Sequence, residues 1–115
     1  MPPMTRCRQK DIALVDFGFS EGTGSKKRPV LIISSDNYHR NRKEVIAAAI
    51  TSNIGRILFA DTRMADWKDA GLLYPSLVTG IIRTIKENMV IRKLGSISQK
   101  DFLMVQENLK KAMGF

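Results

Sequence analysis

Short apolar runs separated by polar or glycine-rich segments dominate the chain, and this pattern predicts strands rather than long helices. The run 44–50 contains three alanines, which favour a helix, but it is so short between polar clusters that a buried strand is predicted. Pro29 is expected to open a strand that is apolar on both faces, because the first residue of a strand needs no ladder N–H. The predicted strands are 11–17, 30–35, 44–50, 56–63, 77–81 and 89–93.

The segments between these runs are predicted to be connections. Residues 18–28 are rich in Gly and Ser and indicate a loop, and residues 36–43 are polar and typical of a turn. Residues 65–70 indicate one or two turns of helix, ended by Gly71.

The clearest helical pattern lies near the C-terminus. Ser98 is a typical N-cap, Asp101 follows three residues later as in a weak capping box, and Gly114 fits the helix end. The apolar stripe of this helix consists of Phe102, Val105, Leu109, Ala112 and Met113. Short strands followed by one helix predict an α+β, mainly β fold, namely a small barrel or curled sheet with the helix packed on it.

The length of 115 residues predicts a single domain over residues 10–115, preceded by a loose basic tail over residues 1–9. Cys7 is the only cysteine and therefore forms no intrachain disulfide, and no apolar run is long enough for a membrane span. No secretory signal is readable, so the cytoplasm is the expected location. His39 is the only histidine, which excludes a Cys/His metal cluster, and no cofactor is predicted.

The charge balance indicates a polyanionic partner. The chain has 19 Lys and Arg against 11 Asp and Glu, which gives a net charge of +8. Nucleic acid is the first expectation for a domain this basic, an acidic protein the second and a membrane surface the third. An excess of Lys that only aids solubility is the alternative.

A candidate site combines basic and hydroxyl side chains. Lys26, Lys27 and Arg28 directly precede one predicted strand, and Thr51 and Ser52 directly follow another. If these strands are antiparallel neighbours, Arg28 and Thr51 share one rim of the sheet. The guanidinium fork and the hydroxyl would then suit one phosphate group and the charge of its pentacoordinate transition state. A solvated basic loop beside a strand-ending turn is the alternative.

Other residues with distinctive chemistry receive structural interpretations. His39 is expected at the surface of a polar turn, Trp67 under the short helix as a packing residue, and Cys7 as an inert thiol in the tail. Phe19 and Tyr38 flank basic segments and are candidates for stacking on bases.

Five segments in register resemble the PemK/MazF-like toxin family over about residues 9–114. The most telling marks are the Arg-Pro at Arg28–Pro29 and the Thr-Ser at Thr51–Ser52. The five segments are 11–17, 27–36, 50–52, 66–76 and 91–95. The resemblance implies an SH3-like barrel, a homodimer, and the toxin half of a toxin–antitoxin pair. It also implies a metal-independent endoribonuclease that cuts single-stranded RNA at short sequences.

The resemblance assigns roles to individual residues. It implies that Arg28 and Thr51 are catalytic, with Thr23 as a loop hydroxyl at the site and Ser25 as the alternative. Thr79 stands where many members have an Arg, and Arg83 is its candidate substitute. The residues expected to bind substrate are Thr23, Ser25, Lys26, Lys27, Ser52, Thr79 and Arg83.

The chemistry implied is transesterification, in which the RNA 2′-OH attacks the adjacent phosphate, and no general base is assigned. The partial match leaves an alternative open, namely a non-catalytic module that binds nucleic acid or an antitoxin. In either case we expect an antitoxin with an acidic, flexible segment that folds on binding at Lys26–Arg28.

Overall fold

The computed structural model describes residues 7–16 and 26–115. Within these ranges, six strands form one antiparallel sheet of order β4-β5-β3-β2-β1-β6, and two helices accompany it. The strands are β1 (Asp11–Asp16), β2 (Lys27–Ile32), β3 (Glu44–Thr51), β4 (Thr62–Arg63), β5 (Leu77–Lys86) and β6 (Val90–Ser96). The helices are α1 (Asp36–Arg42) and α2 (Gln99–Met113), and a short 3₁₀ turn covers Glu87–Met89. The predicted α+β, mainly β fold class is confirmed.

The central strands are buried on both faces, which explains their continuous apolar runs. Neighbouring residues such as Ala47 and Ala48 lie in different clusters, because successive side chains of a strand point to opposite faces. Helix α2 covers one face with Phe102 and Val105, while Leu109 packs beside them. The cap predicted at Ser98 is confirmed, since its side chain accepts a hydrogen bond from the backbone N–H of Asp101.

Asp101 has a different role from the one expected. Its buried carboxylate accepts hydrogen bonds from the backbone N–H groups of Ala65 (3.1 Å) and Asp66 (2.8 Å). It therefore ties the start of α2 to the segment that follows β4, in addition to its place in the first helical turn. Trp67 in that segment is partly buried and packs against the core, in line with the packing role predicted for it.

Most strand predictions differ from the structure at one end or both; the strand predicted at 77–81 extends to Lys86, and two other differences have a local explanation. β2 begins at Lys27, so Pro29 lies inside the strand. The pairing of β2 with β3 covers only Val30–Ile32, so the missing N–H of Pro29 falls outside that ladder. The predicted strand 56–63 reduces to Thr62–Arg63, because Asp61 accepts a hydrogen bond from the backbone N–H of Leu58 and forms a turn.

The predicted turn at 36–43 is wrong, because this segment forms helix α1. The Ser35 hydroxyl caps it by accepting from the Tyr38 N–H (3.2 Å), and Lys43 ends it in the left-handed region at φ 56°. Asp36 near the start and Arg42 near the end complement the helix dipole. The one or two turns of helix predicted over residues 65–70 are turns without a helix, in which the Ala70 N–H donates to the Asp66 carbonyl (3.2 Å).

The prediction of a loose tail is wrong for residues 7–9, the part that the structure describes. Cys7 is only 7% exposed and lies in the core cluster on the face opposite α2. The backbone N–H of Arg8 donates to the Asp11 carboxylate (2.8 Å), and the Gln9 amide donates to the Ile33 carbonyl (2.9 Å). These residues therefore stabilise the sheet.

Candidate phosphate-binding cleft

The register of β2 and β3 brings the two predicted catalytic residues together. Val30 pairs with Ala49 in an antiparallel ladder. Continuing this register by two residues along each strand places Arg28 opposite Thr51. Both side chains line one cleft of about 440 Å³. The two strands are therefore antiparallel neighbours, which is the condition under which the sequence predicts that Arg28 and Thr51 share one rim of the sheet.

Residues from five separate parts of the chain form the cleft. Its floor comes from the strands, and one wall comes from the segment between Gly71 and Ser76. The lining consists of Leu14, Arg28, Pro29, Ile50, Thr51, Ser52, Gly71, Leu72, Leu73, Tyr74, Ser76, Arg92 and Leu94. These described residues include two guanidiniums and several hydroxyls but no carboxylate and no imidazole.

The Thr51 hydroxyl is held in place by its own turn. Its oxygen accepts a hydrogen bond from the backbone N–H of Asn53 at 3.1 Å. A hydroxyl that accepts one bond in this way still has its hydrogen to donate. Thr51 can therefore donate to an oxygen of a molecule in the cleft without losing its orientation.

The two guanidiniums give the cleft its positive charge. Arg28 and Arg92 are both exposed, and neither forms an ion pair with another described residue. Arg28 pairs with Val15 and Arg92 with Leu14, on opposite sides of β1. Two interstrand spacings separate their backbones by roughly 10 Å. Both residues line the same cleft, and planar guanidiniums suit phosphate groups.

The wall of the cleft is fixed at both of its ends. At one end a Cβ on Gly71 would lie 2.2 Å from the Leu94 carbonyl oxygen, so only glycine allows this approach to β6. At the other end Leu77 pairs with Thr51 of β3. The segment between them spans the cleft from β6 to β3.

The other predicted substrate-binding residues are distributed differently. Lys26 and Lys27 are exposed just before Arg28, and Ser52 lines the cleft. Thr23, Ser25 and the stacking candidate Phe19 lie outside the described residues.

Thr79 and Arg83 do not line the cleft. Thr79 is 8% exposed; its hydroxyl donates to the Ala49 carbonyl (2.8 Å) and accepts from the Ile81 N–H (3.2 Å). It thereby closes the register shift between β3 and β5, which is a structural role. Arg83 pairs opposite Ala47, farther along β5 and away from the end where Thr51 lies. The position of neither residue supports the predicted contact with substrate.

Arg92 was not assigned as a site residue from the sequence. The signal for it is local, since Arg92 and Leu94 alternate with their neighbours and so point to the same face of β6. The pairing of β6 with β1, which places Arg92 one strand away from the strand of Arg28, depends on residues distant in sequence. The sequence pattern alone therefore predicts the face of β6 on which Arg92 lies but not the residues around it.

The prediction of a surface His39 is wrong. Its ring is 7% exposed, and Nε2 lies 2.5 Å from the Ser34 hydroxyl, which also accepts from the Ile46 N–H (2.8 Å). His39 thus joins α1 to the sheet, outside the cleft. Tyr38 is likewise outside the cleft, and its ring lies 5.3 Å from the Arg42 guanidinium. Burial raises the pKa of the Cys7 thiol from 9.0 to about 11, and the nearby Asp11 carboxylate adds to this, so the thiol stays protonated.

Solved structures share this fold. A mycobacterial endoribonuclease in complex with its cognate antitoxin has a TM-score of 0.77 at 18% identity, covering 96% of this chain and 97% of its own. The Mycobacterium tuberculosis toxin MazF-mt6 has a TM-score of 0.73 at 24% identity, with coverage of 91% and 97%. A MazE-MazF complex from Deinococcus radiodurans has a TM-score of 0.79 at 14% identity, with coverage of 95% and 96%. A search of curated proteins gives no match.

The fold and the basic cleft define a small β-sheet protein with the architecture of these toxins. A family model adds sequence-level support over residues 8–113, nearly the whole chain. The chain belongs to the PemK-like, MazF-like toxin family of type II toxin–antitoxin systems. The resemblance seen in the sequence is confirmed. No helix in the described ranges is long and apolar enough to cross a membrane.

Proposed function

We propose that the protein is a metal-independent endoribonuclease toxin that cleaves single-stranded RNA by transesterification and thereby inhibits growth. The observation that supports this most strongly is the convergence of Arg28 and Thr51 on one cleft, through the antiparallel register of β2 and β3. The chain's net charge of +8 favours the same polyanionic substrate.

In the proposed reaction, the 2′-oxygen of a ribose forms a bond to the adjacent phosphorus, and the bond from phosphorus to the 5′-oxygen breaks. The 2′-hydroxyl proton passes to solvent, and the leaving 5′-oxygen takes up a proton. The products are a 2′,3′-cyclic phosphate and a 5′-hydroxyl. Arg28 neutralises charge on the non-bridging oxygens, and Thr51 donates its hydroxyl hydrogen to one of them.

The absence of a carboxylate or imidazole from the described cleft lining favours a second candidate. A cleft with cationic and hydroxyl groups alone binds a phosphate chain but supplies no side chain to remove the 2′-proton. The alternative function is a non-catalytic module that binds RNA or an antitoxin. Tight RNA binding with no cleavage over hours would select this alternative.

We further propose an antitoxin partner, a homodimeric state and a cytoplasmic location. The structures with this fold include toxin–antitoxin complexes, one from a mycobacterial species and others from Deinococcus radiodurans. A basic cleft beside Lys26, Lys27 and Arg28 is best covered by an acidic segment that folds on binding. Antitoxin and RNA should therefore compete, and independent binding of both would contradict this proposal.

The proposed activity is tested by incubating the purified protein with single-stranded RNA in a chelator and sequencing the RNA ends. We expect cleavage at short recurring sequences, products with 5′-hydroxyl ends, and no cleavage of the same strand when its 2′-hydroxyls are methylated. Arg28→Ala should abolish most cleavage. Arg40→Ala, on α1 and away from the cleft, is the matched control. Equal loss in both variants would show a general charge effect and would contradict the assigned site.

A further inference from the structure

The wall of the cleft presents large apolar side chains to solvent. Leu73 is 82% exposed and Tyr74 is 64% exposed, although both line the cleft. Leu72 already attaches this segment to the core, so the exposed ring of Tyr74 is not needed for packing within the described structure. Exposed apolar groups next to a cleft are typical of binding surfaces.

Tyr74 is held by its neighbours rather than by its own side chain. Pro75 restricts the backbone of Tyr74 to the extended region. The Ser76 hydroxyl donates to the Tyr74 carbonyl at 2.7 Å, and the Ser76 carbonyl accepts from the Met64 N–H at 3.0 Å. Gly71 anchors the other end of the segment on β6. The ring is therefore presented by a fixed backbone, which lowers the entropic cost of binding a flat partner.

Arg92 lies on the strand where this wall is anchored. The backbone of Gly71 is in close contact with Leu94, and Arg92 stands two residues before Leu94 on the same face of β6. The cleft therefore has Arg28 and Thr51 on β2 and β3, and a second cation on β6. Tyr74 lies on the wall that spans the distance between β6 and β3.

We propose that Tyr74 and Arg92 form a nucleotide subsite next to the Arg28–Thr51 phosphate site, in which Tyr74 stacks on an unpaired base and Arg92 binds a neighbouring phosphate. The inference rests on the proposed RNA substrate and specifies how the strand is held. A base paired in a duplex is already stacked on both faces, so this subsite selects single strands. Stacking is sequence-tolerant, so the subsite contributes affinity and a preference for bases that stack strongly.

The stacking role is tested by binding of fluorescent single strands of about eight nucleotides, which is within the usual site size. The strands are 2′-O-methyl oligo(A), 2′-O-methyl oligo(U) and a base-free sugar–phosphate chain of equal length. Tyr74→Ala should weaken binding of oligo(A) about tenfold and leave the base-free chain unchanged. Tyr74→Phe should bind oligo(A) like the wild type, because the ring is kept. Tyr38→Ala is the matched control and should have no effect.

The role of Arg92 is separated from stacking by its salt dependence. Arg92→Ala should weaken oligo(A) and the base-free chain equally. It should reduce the slope of log affinity against log salt by about 0.7, the value for one phosphate contact on a single strand. Arg40→Ala should leave the slope unchanged.

The outcomes distinguish this inference from the proposed function. If the wild type cleaves RNA and binds oligo(A), but Tyr74→Ala binds as tightly as the wild type, the subsite is refuted and the RNase assignment stands. If Tyr74→Ala weakens the base-free chain as much as oligo(A), the ring acts on the cleft's shape and the stacking role is refuted. If the wild type binds none of these strands and cleaves no RNA, both proposals fail.

Discussion

The contact between Gly71 and Gly95 is the most demanding feature of the cleft, and alanine at Gly95 tests it. A Cβ built on Gly95 would lie 2.2 Å from the Ala70 carbonyl oxygen, whereas ordinary contact begins at 3.4 Å. The obstacle is backbone, so no side chain can rotate away. The two segments must separate by roughly 1 Å, and overpacking of this kind costs about 1–3 kcal/mol. For a domain of this size, that lowers Tm by roughly 4 °C per kcal/mol.

Alanine substitutions at three other glycines distinguish the cost of steric overlap from the cost of backbone strain. Gly71→Ala should cost more than Gly95→Ala, because the same overlap is joined by a φ of +93°. Gly114→Ala has a φ of +79° with open space around it, so it should cost only the strain, about 1 kcal/mol. Gly55→Ala meets its nearest neighbour, the Asn53 side chain, at 3.7 Å, and should stay within about 0.5 kcal/mol of the wild type.

Thermal and guanidinium unfolding of the four variants gives the order of stability, and single-turnover RNA cleavage reports on the cleft wall. Gly95→Ala moves the backbone that carries Leu72 and Tyr74, and misplacement by about 1 Å can cost up to ~10²-fold in rate. We therefore expect slower cleavage by Gly95→Ala at temperatures where it is fully folded. A Tm within about 2 °C of that of Gly55→Ala would refute the close approach of the two segments.

Three further predictions concern individual side chains. The free energies of unfolding of Arg28→Ala and Thr51→Ala should stay within about 0.5–1 kcal/mol of the wild-type value, while cleavage slows at least ~10²-fold and Arg28→Lys restores little of it. Cleavage at the wild-type rate by Arg28→Ala would refute the site, and a collapse in its Tm would make Arg28 a structural residue. His39→Ala should lose about 1–3 kcal/mol, because the Ser34 hydroxyl loses a buried partner, while single-turnover cleavage in the folded state changes less than about tenfold. The pKa of the Cys7 thiol is 9.0 in the unfolded chain and about 11 in the folded chain, so the free energy of unfolding should fall as the pH rises between these values, and more steeply in the wild type than in Cys7→Ala. The same pH dependence of the unfolding free energy in both proteins would contradict the raised pKa.

The sequence predicts best what local patterns determine. The apolar stripe and Ser98 cap of α2 depend on residues within a few positions of each other, and the helix begins at Gln99 directly after that cap. The pairing of Arg28 with Thr51 was predictable for a related reason. Arg28 directly precedes one apolar run and Thr51 directly follows the other, so antiparallel pairing of the two runs was enough to bring them together.

Helix α1 was missed because it lacks the signal that sequence analysis uses. A helix is recognised by an apolar stripe, yet the one buried residue of α1 is His39. Its stability depends on the Ser35 cap and on the hydrogen bond of His39 with Ser34. Cys7 was misjudged for the converse reason, since one small apolar side chain in a polar segment gives no periodicity.

Three contacts between segments distant in sequence assemble the cleft, and the sequence pattern predicts only one of them. Pairing of β2 with β3 joins Arg28 to Thr51, pairing of β1 with β6 adds Arg92, and the approach of Gly71 to Gly95 adds the wall with Tyr74. The second and third depend on backbone neighbours that no side-chain pattern specifies. Because β6 takes part in both, a change at Gly95 should weaken RNA binding through Arg92 and Tyr74 together, while leaving the Arg28–Thr51 pair in its register.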